Sequence, residues 1–289
     1  MNKQQTASLR RTLLLTVLAM LAFAANSLLC RLALGQGLID AASFASLRIL
    51  SGAMALTLFM WPAWRTRSRR PADWRAVATL FLYMVFFSYA YLSLSAATGA
   101  LILFGAVQLT MFIAALRAGE RFTNLSWAGL GLAVFGLVYL VLPGVTAPDP
   151  TGAALMTIAG ISWGFYSLLG RNVPEPLEAT ANNFIFSLPL AIIVSLLFMG
   201  DIHLSPPGIA LAATSGVIAS GLGYVAWYAA LRGLTASRAA TVQLSVPAIA
   251  AFGGVVFLAE EITLRLLLAS VATLGGIALV LAQRARQTS

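Results

Sequence analysis

The chain has 289 residues, 60% of them hydrophobic and 9% charged, with a mean hydropathy of +0.90 and a formal net charge of +9. An ordinary soluble domain is about 45–50% apolar and about 25% charged, so nine acids and eighteen bases cannot clothe a soluble surface of this size. A soluble enzyme, a nucleic-acid binder and a disordered tail are excluded, and the basic residues flank apolar runs instead of alternating with aromatics. Cys30 is the single cysteine, which leaves no disulfide framework and no cysteine metal site.

A membrane-crossing helix needs about 20 apolar residues. Runs of that kind, interrupted by Pro, Gly and charge, predict ten spans. The first five are Thr12–Leu34, Ala41–Trp61, Asp73–Leu92, Thr98–Leu116 and Leu125–Leu142. The second five are Gly152–Gly170, Ala179–Met199, Gly208–Leu231, Ser237–Ala259 and Leu264–Gln283. Arg10-Arg11, an apolar run and Ala22-Phe23-Ala24 imitate a cleaved signal peptide. The segment reads as a span instead, because an internal repeat runs straight across it.

Basic residues collect in cytoplasmic loops. With the N-terminus inside, all eighteen Lys and Arg residues fall on the cytoplasmic side except Arg31, Arg48 and Arg265. Asp40, Asp149, Asp201, His203, Glu260 and Glu261 then fall outside. Both termini are expected in the cytoplasm of a bacterial cell, with the chain in its inner membrane.

A shift of 140 residues lays the chain on itself. Ser27-Leu28-Leu29-Cys30-Arg31 meets Ser167-Leu168-Leu169-Gly170-Arg171, and Leu94–Ala100 meets Leu234–Ala240. Glu120-Arg121-Phe122-Thr123 meets Glu260-Glu261-Ile262-Thr263, and Gly136 meets Gly276. An odd number of spans per half inverts one half relative to the other, a recurrent transporter plan with its substrate site between the repeats. The expected architecture is an all-α membrane domain over residues 1–289. Its ten transmembrane helices form two inverted five-helix repeats, 12–142 and 150–285, around a central cavity.

At these residues the chain resembles the drug/metabolite transporter superfamily, in particular its ten-helix EamA-type exporters. The likeness rests on the five-plus-five count, on Leu234-Thr235-Ala236-Ser237 opening span nine, and on Pro247 followed by Glu260 and Thr263. It covers about residues 12 to 283, and the aromatic-rich spans look most like the aromatic amino-acid exporters of that superfamily. The first half departs from the pattern, with Val107 where Pro247 stands in the second.

No acid falls in the middle of a span, and the single His lies in an outer loop. Proton-driven pumps carry an embedded carboxylate or His, and the superfamily's small multidrug pumps have theirs in the first span, where this chain has Asn26 and Ser27. No base, nucleophile pair or metal set for an enzyme can be assembled, and no cofactor is expected. The spans offer aromatics and amides instead. Tyr83 and Phe87 share a face of span three, Trp163, Tyr166 and Ser167 a face of span six, and Tyr224, Trp227 and Tyr228 a face of span eight. Such stripes also serve as packing or interfacial belts, the reading given to Trp61, Trp64, Trp74, Tyr89, Tyr91 and Trp127 near span ends. Gln108 and Gln243 are candidate buried amides. Pro247 frees the carbonyl of Gln243, so that Gln243, this carbonyl and Ser245 are expected to gather at mid-membrane.

The candidate substrate-binding set is Trp163, Tyr83, Gln243, Ser245, Phe87, Gln108, Tyr224, Tyr228, Asn26 and Tyr166, with Pro247 and Gly164 as hinges and walls from spans one, three, four, six, eight and nine. Asn182 and Asn183 divide between substrate contact and interhelical bonding. Arg48 could bind a substrate carboxylate, snorkel outward or tie helices together. Glu120 and Glu260 are read as helix caps beside Thr123 and Thr263.

The expected function is export of small organic solutes, best of all aromatic or large neutral amino acids. Transport is by alternating access, as a uniporter, in a monomer whose partners are its solute and the lipid bilayer. A drug or lipophilic-cation exporter is the alternative within transport, and a non-transporting scaffold or sensor the alternative outside it. Topology is testable at once. A cytoplasmic reporter fused after Arg286 and a periplasmic reporter in the Pro143–Pro150 loop should both be active, and a cytoplasmic signal from that loop would overturn the inverted arrangement.

Overall fold

A computed structural model describes residues 3–66, 71–170, 173–234 and 236–287, with only the backbone given for 3–9, 236–238 and 283–287. Arg67, Arg69, Arg70, Arg171 and Thr235, which entered the orientation and repeat arguments, lie outside the described residues, as do the side chains of Lys3, Arg238, Arg284 and Arg286.

The described chain is helical almost throughout. The helices are α1 (Lys3–Gly35), α2 (Ala41–Trp64), α3 (Trp74–Ala90), α4 (Ala96–Arg117), α5 (Asn124–Val141), α6 (Pro150–Gly170) and α7 (Pro176–Leu197). There follow α8 (Pro206–Leu231), α9 (Ala236–Gln243 and Ser245–Leu258) and α10 (Leu264–Gln287). Among the described residues nine helices are long and apolar enough to cross a membrane, while α3, at 17 residues, is apolar but shorter.

Scarce polar residues are used where a helix start leaves amides without partners. Asp40 accepts from Ser43 N at 2.8 Å, Ser95 from Thr98 N at 3.2 Å, and Asp149 from Gly152 N at 2.6 Å. Thr123 caps α5 and Thr263 caps α10 in the same way. Two helices depart from the regular α form. In α8, Ser215–Leu222 winds as a π-helix, and α9 is interrupted at Leu244. Pro247 therefore sits in the first turn of the second segment, where a proline is tolerated.

Consecutive helices run antiparallel. One end of the bundle joins the C-terminal ends of odd-numbered helices to the N-terminal ends of even-numbered ones. Asp40 N donates to His203 O (3.0 Å), Ser93 Oγ to Asp149 Oδ1 (3.0 Å), and Arg265 Nη1 to Leu142 O (2.6 Å). Asp40, Asp149, Asp201, Glu260 and Glu261 all lie at this acidic end. The opposite, basic end exposes Arg10, Arg11, Arg65, Arg75, Arg117, Arg121 and Arg232.

Close packing organises the bundle. Helix α3 lies on α6 and α7, α4 on α6 and α9, α1 on α8 and α9, α2 on α7 and α8, and α5 on α10. These pairings map onto one another when each helix is exchanged for its counterpart five helices away. Where α5 crosses α10 there is no room for side chains, since a Cβ on Gly129 would come within 2.6 Å of the Gly276 carbonyl oxygen.

The acidic end is fastened by an ion pair between the two halves. Arg31 Nε lies 3.3 Å from Glu260 Oε1, and its Nη1 donates to the carbonyls of Tyr91 (3.2 Å) and Leu92 (3.4 Å). The Glu260 carboxylate also accepts from Ala96 N, at 3.0 and 2.9 Å, and so caps α4. Glu260 was expected to serve the helix that follows it, but Thr263 does that. Ala259, with φ 52°, turns the chain so that the carboxylate reaches across to the first half. Glu260→Ala leaves a guanidinium and a helix amide without their acceptor, an expected loss of roughly 1–3 kcal/mol. Thermal unfolding in detergent should show a lowered Tm, and an unchanged one would remove this fastening role.

Candidate functional site

Along α3, α6 and α8, aromatic residues recur on the faces that meet in the bundle centre. Tyr83 and Trp163 approach with ring centroids 4.8 Å apart, and Trp163 stacks on Tyr224 at 5.5 Å with an interplanar angle of 19°. Phe87 lies 5.4 Å from Tyr83, and Phe23 of α1 packs edge-on against Tyr224 at 6.0 Å. Such arrangements contribute beyond their buried area.

These rings line one of two cavities in this region. The central one, about 20 Å³, is lined by Phe23, Asn26, Ser27, Arg48, Tyr83, Phe87, Leu103, Phe104, Trp163, Ala219, Ser220 and Tyr224. The second, about 120 Å³, lies one to two helical turns nearer the basic end, among the ends of α3, α6 and α7. Its polar wall includes Tyr166, Tyr228, Thr180, Asn182 and Asn183. Thr180 Oγ1 lies 3.1 Å from the hydroxyls of both Tyr166 and Tyr228, and Asn183 Nδ2 donates to Tyr166 OH at 3.4 Å. Trp163 and Tyr224 line the central cavity, and their rings contact Tyr166 (centroids 5.3 Å apart) and Tyr228 (6.5 Å), which line the second.

The central cavity is the more polar for its size. Asn26 Nδ2 donates to Tyr83 OH at 3.4 Å, and Asn26 Oδ1 accepts from Ser215 Oγ at 2.6 Å. The unusual member is Arg48, only 1% exposed. Its Nε donates to Ser220 Oγ and its Nη2 to Tyr83 OH, both at 3.1 Å. Its guanidinium carbon lies 5.2 and 5.0 Å from the ring centroids of Tyr83 and Phe87. Both serine contacts come from the π-helical stretch of α8, a form often found at functional sites.

The structure brings together Trp163, Tyr83, Phe87, Tyr224 and Asn26 at the central cavity and Tyr166 and Tyr228 at the second. It does not bring Gln108, Gln243 or Ser245 to either. Gln108 is buried on α4, its Nε2 without a partner among the described residues. Gln243 is half-buried at the break in α9, and Ser245 is exposed and donates to Val242 O at 2.6 Å. At the break the Ser245 hydroxyl satisfies the carbonyl of Val242 and not that of Gln243, the one expected to be free. Neither hinge candidate touches a cavity: Gly164 packs flush against Thr110 of α4. The walls likewise differ from expectation. Helix α9 contributes none, while α2 supplies Arg48, which neither snorkels nor reaches solvent. Tyr91, expected at an interface, is fully buried 4.8 Å from Phe87. Ring stacking and Arg48's contacts each join three or more helices, and no single-helix periodicity signals that.

The EamA-like transporter family matches the chain twice, over residues 10–142 and 150–282. An uncharacterised protein of Pseudomonas aeruginosa is 52% identical over 275 residues, 95% of this chain and 96% of that one. The threonine/homoserine exporter RhtA of Salmonella typhimurium is 32% identical over 237 residues, 78% of this chain and 77% of its own. A solved structure with 18% identity shares the fold with a TM-score of 0.68, covering 94% of this chain and 98% of that one. With both halves matched and an apolar helical bundle enclosing a lined interior, this chain belongs to the EamA-like family of membrane transporters.

Proposed function

We propose that the protein exports small organic metabolites, foremost aromatic or large neutral amino acids, across a bacterial inner membrane by alternating access. The observation that carries this reading is the pair of lined cavities linked by ring contacts, Trp163 and Tyr224 of the central one touching Tyr166 and Tyr228 of the second. A solute entering from the basic end meets the hydroxyls and amide of Tyr166, Tyr228, Thr180 and Asn183, then the aromatic wall, then the central cavity. The path ends there, because the acidic end is fastened by Arg31, Glu260 and Ala96. Opening that end while closing the other is the alternation. The twofold family match and the exchange of helix pairings support inverted halves, with α3 as a tenth crossing. The basic end is taken as cytoplasmic on the distribution of Arg residues. The name of the Salmonella relative supports amino acids as cargo.

The energetic reading is uniport, in a monomer. All nine carboxylates and His203 lie in loops or helix first turns; Asp73 and Glu175 line the second cavity, and none lines the central one, where the solute is held. A pH gradient acts only through groups whose protonation differs between conformations. Proteoliposomes loaded with equal phenylalanine on both sides should therefore keep it level under a pH step of about two units, a driving force of roughly 2.7 kcal/mol. Accumulation that a protonophore abolishes would overturn uniport. Trp163→Leu should reduce flux roughly tenfold or more while the protein stays folded in the membrane, and normal flux would place the path elsewhere.

A further inference from the structure

We propose that Arg48 is the anchor for a carboxylate group of the solute, and that this carboxylate, not an amine, is the obligatory element of recognition. The flux part of the argument rests on the transport reading above; the binding part stands independently.

A guanidinium has five N–H donors in a planar fork. In Arg48 the Nε and one Nη2 donor are used within the protein, while Nη1 has no partner among the described residues and the side chain lines the central cavity. The other two arginines of the acidic half behave differently. Arg31 spends its Nη1 on the carbonyls of Tyr91 and Leu92, and Arg265 spends its own on that of Leu142. Both of those end on carbonyls, and Arg48 does not.

Nor is its charge balanced. All nine carboxylates of the chain lie in described residues, and none pairs with it. A buried cation without a counter-ion is costly, and retaining one in apolar surroundings marks a binding role. The rings of Tyr83 and Phe87 lessen that cost and fix the plane of the fork. What such a fork fits is a carboxylate, through two parallel hydrogen bonds. The neighbouring faces of Phe23, Trp163 and Tyr224 suit an apolar or aromatic body, and no acid lines the cavity to demand an ammonium group. At about 20 Å³ the cavity admits one water-sized group, so the headgroup arrives as Trp163 and Tyr224 part. The solute class is a small carboxylate with an apolar body, with or without an amine.

Three ligands of one skeleton test this on the full-length protein in detergent: 3-phenylpropionate, 3-phenylpropanamide and 3-phenylpropylamine. Equilibrium binding should rank the acid roughly tenfold or more above the amide, with the amine failing to compete. In Arg48→Gln the gap between acid and amide should shrink to about twofold or less, and Arg48→Lys should keep part of it. Equal affinity of acid and amide for the unaltered protein, or no binding of the acid, overturns the anchor whether or not the variants fold. Binding of the acid with no flux in proteoliposomes overturns the transport reading and leaves the anchor standing.

Discussion

Inside a bilayer a backbone amide or carbonyl has no water to turn to, and every feature of this molecule answers to that constraint. Helices satisfy it along their length, so trouble is confined to helix ends, and there the chain places a set of polar side chains. Asp40, Ser95, Thr123, Asp149, Ser205 and Thr263 all accept from first-turn amides. The same economy explains Glu260, whose one carboxylate serves a helix start, an arginine and the contact between the two halves.

Once the helix ends are provided for, any polar group left in the interior stands out. Asn26, Ser215, Ser220, Tyr83 and Arg48 form a connected cluster on four helices, and Thr180, Asn183, Tyr166 and Tyr228 form another on three. Each cluster borders a cavity, and the rings of Trp163 and Tyr224 in the first contact those of Tyr166 and Tyr228 in the second. Hydrogen-bonded residues facing a lined space are what a path for a polar solute through a hydrocarbon-clad bundle requires. Aromatic rings suit the boundary, since they seal by dispersion and present their faces to whatever passes.

How far the sequence revealed this depended on whether a feature lives on one helix or between several. Runs of about 20 apolar residues announced the helices, and their ends fell within a few residues of the observed ones except at the start of α1, which begins at Lys3 and not Thr12 because helical backbone continues into the polar N-terminal residues. The faces carrying Tyr83 and Phe87, or Trp163 and Tyr166, were legible because helical spacing puts them side by side. The π-helical stretch of α8 and the interruption at Leu244 carry no periodic signature. Arg48 was the hardest. Its burial depends on Tyr83 and Phe87 from α3 and Ser220 from α8 closing over it, and nothing in the residues flanking Arg48 announces those neighbours.

The place of Arg48 in the repeat has an evolutionary corollary. Under the 140-residue shift its counterpart is Leu188, so the chain carries this charge once. An assembly of two identical five-helix units would have to present every residue twice, giving two uncompensated cations in one interior or none. Fusing the units into a single gene product frees each copy to diverge, and only then can a lone charge sit off the pseudo-axis. On this view the covalent joining of the halves is what made an asymmetric, single-headed grip on a solute accessible to selection.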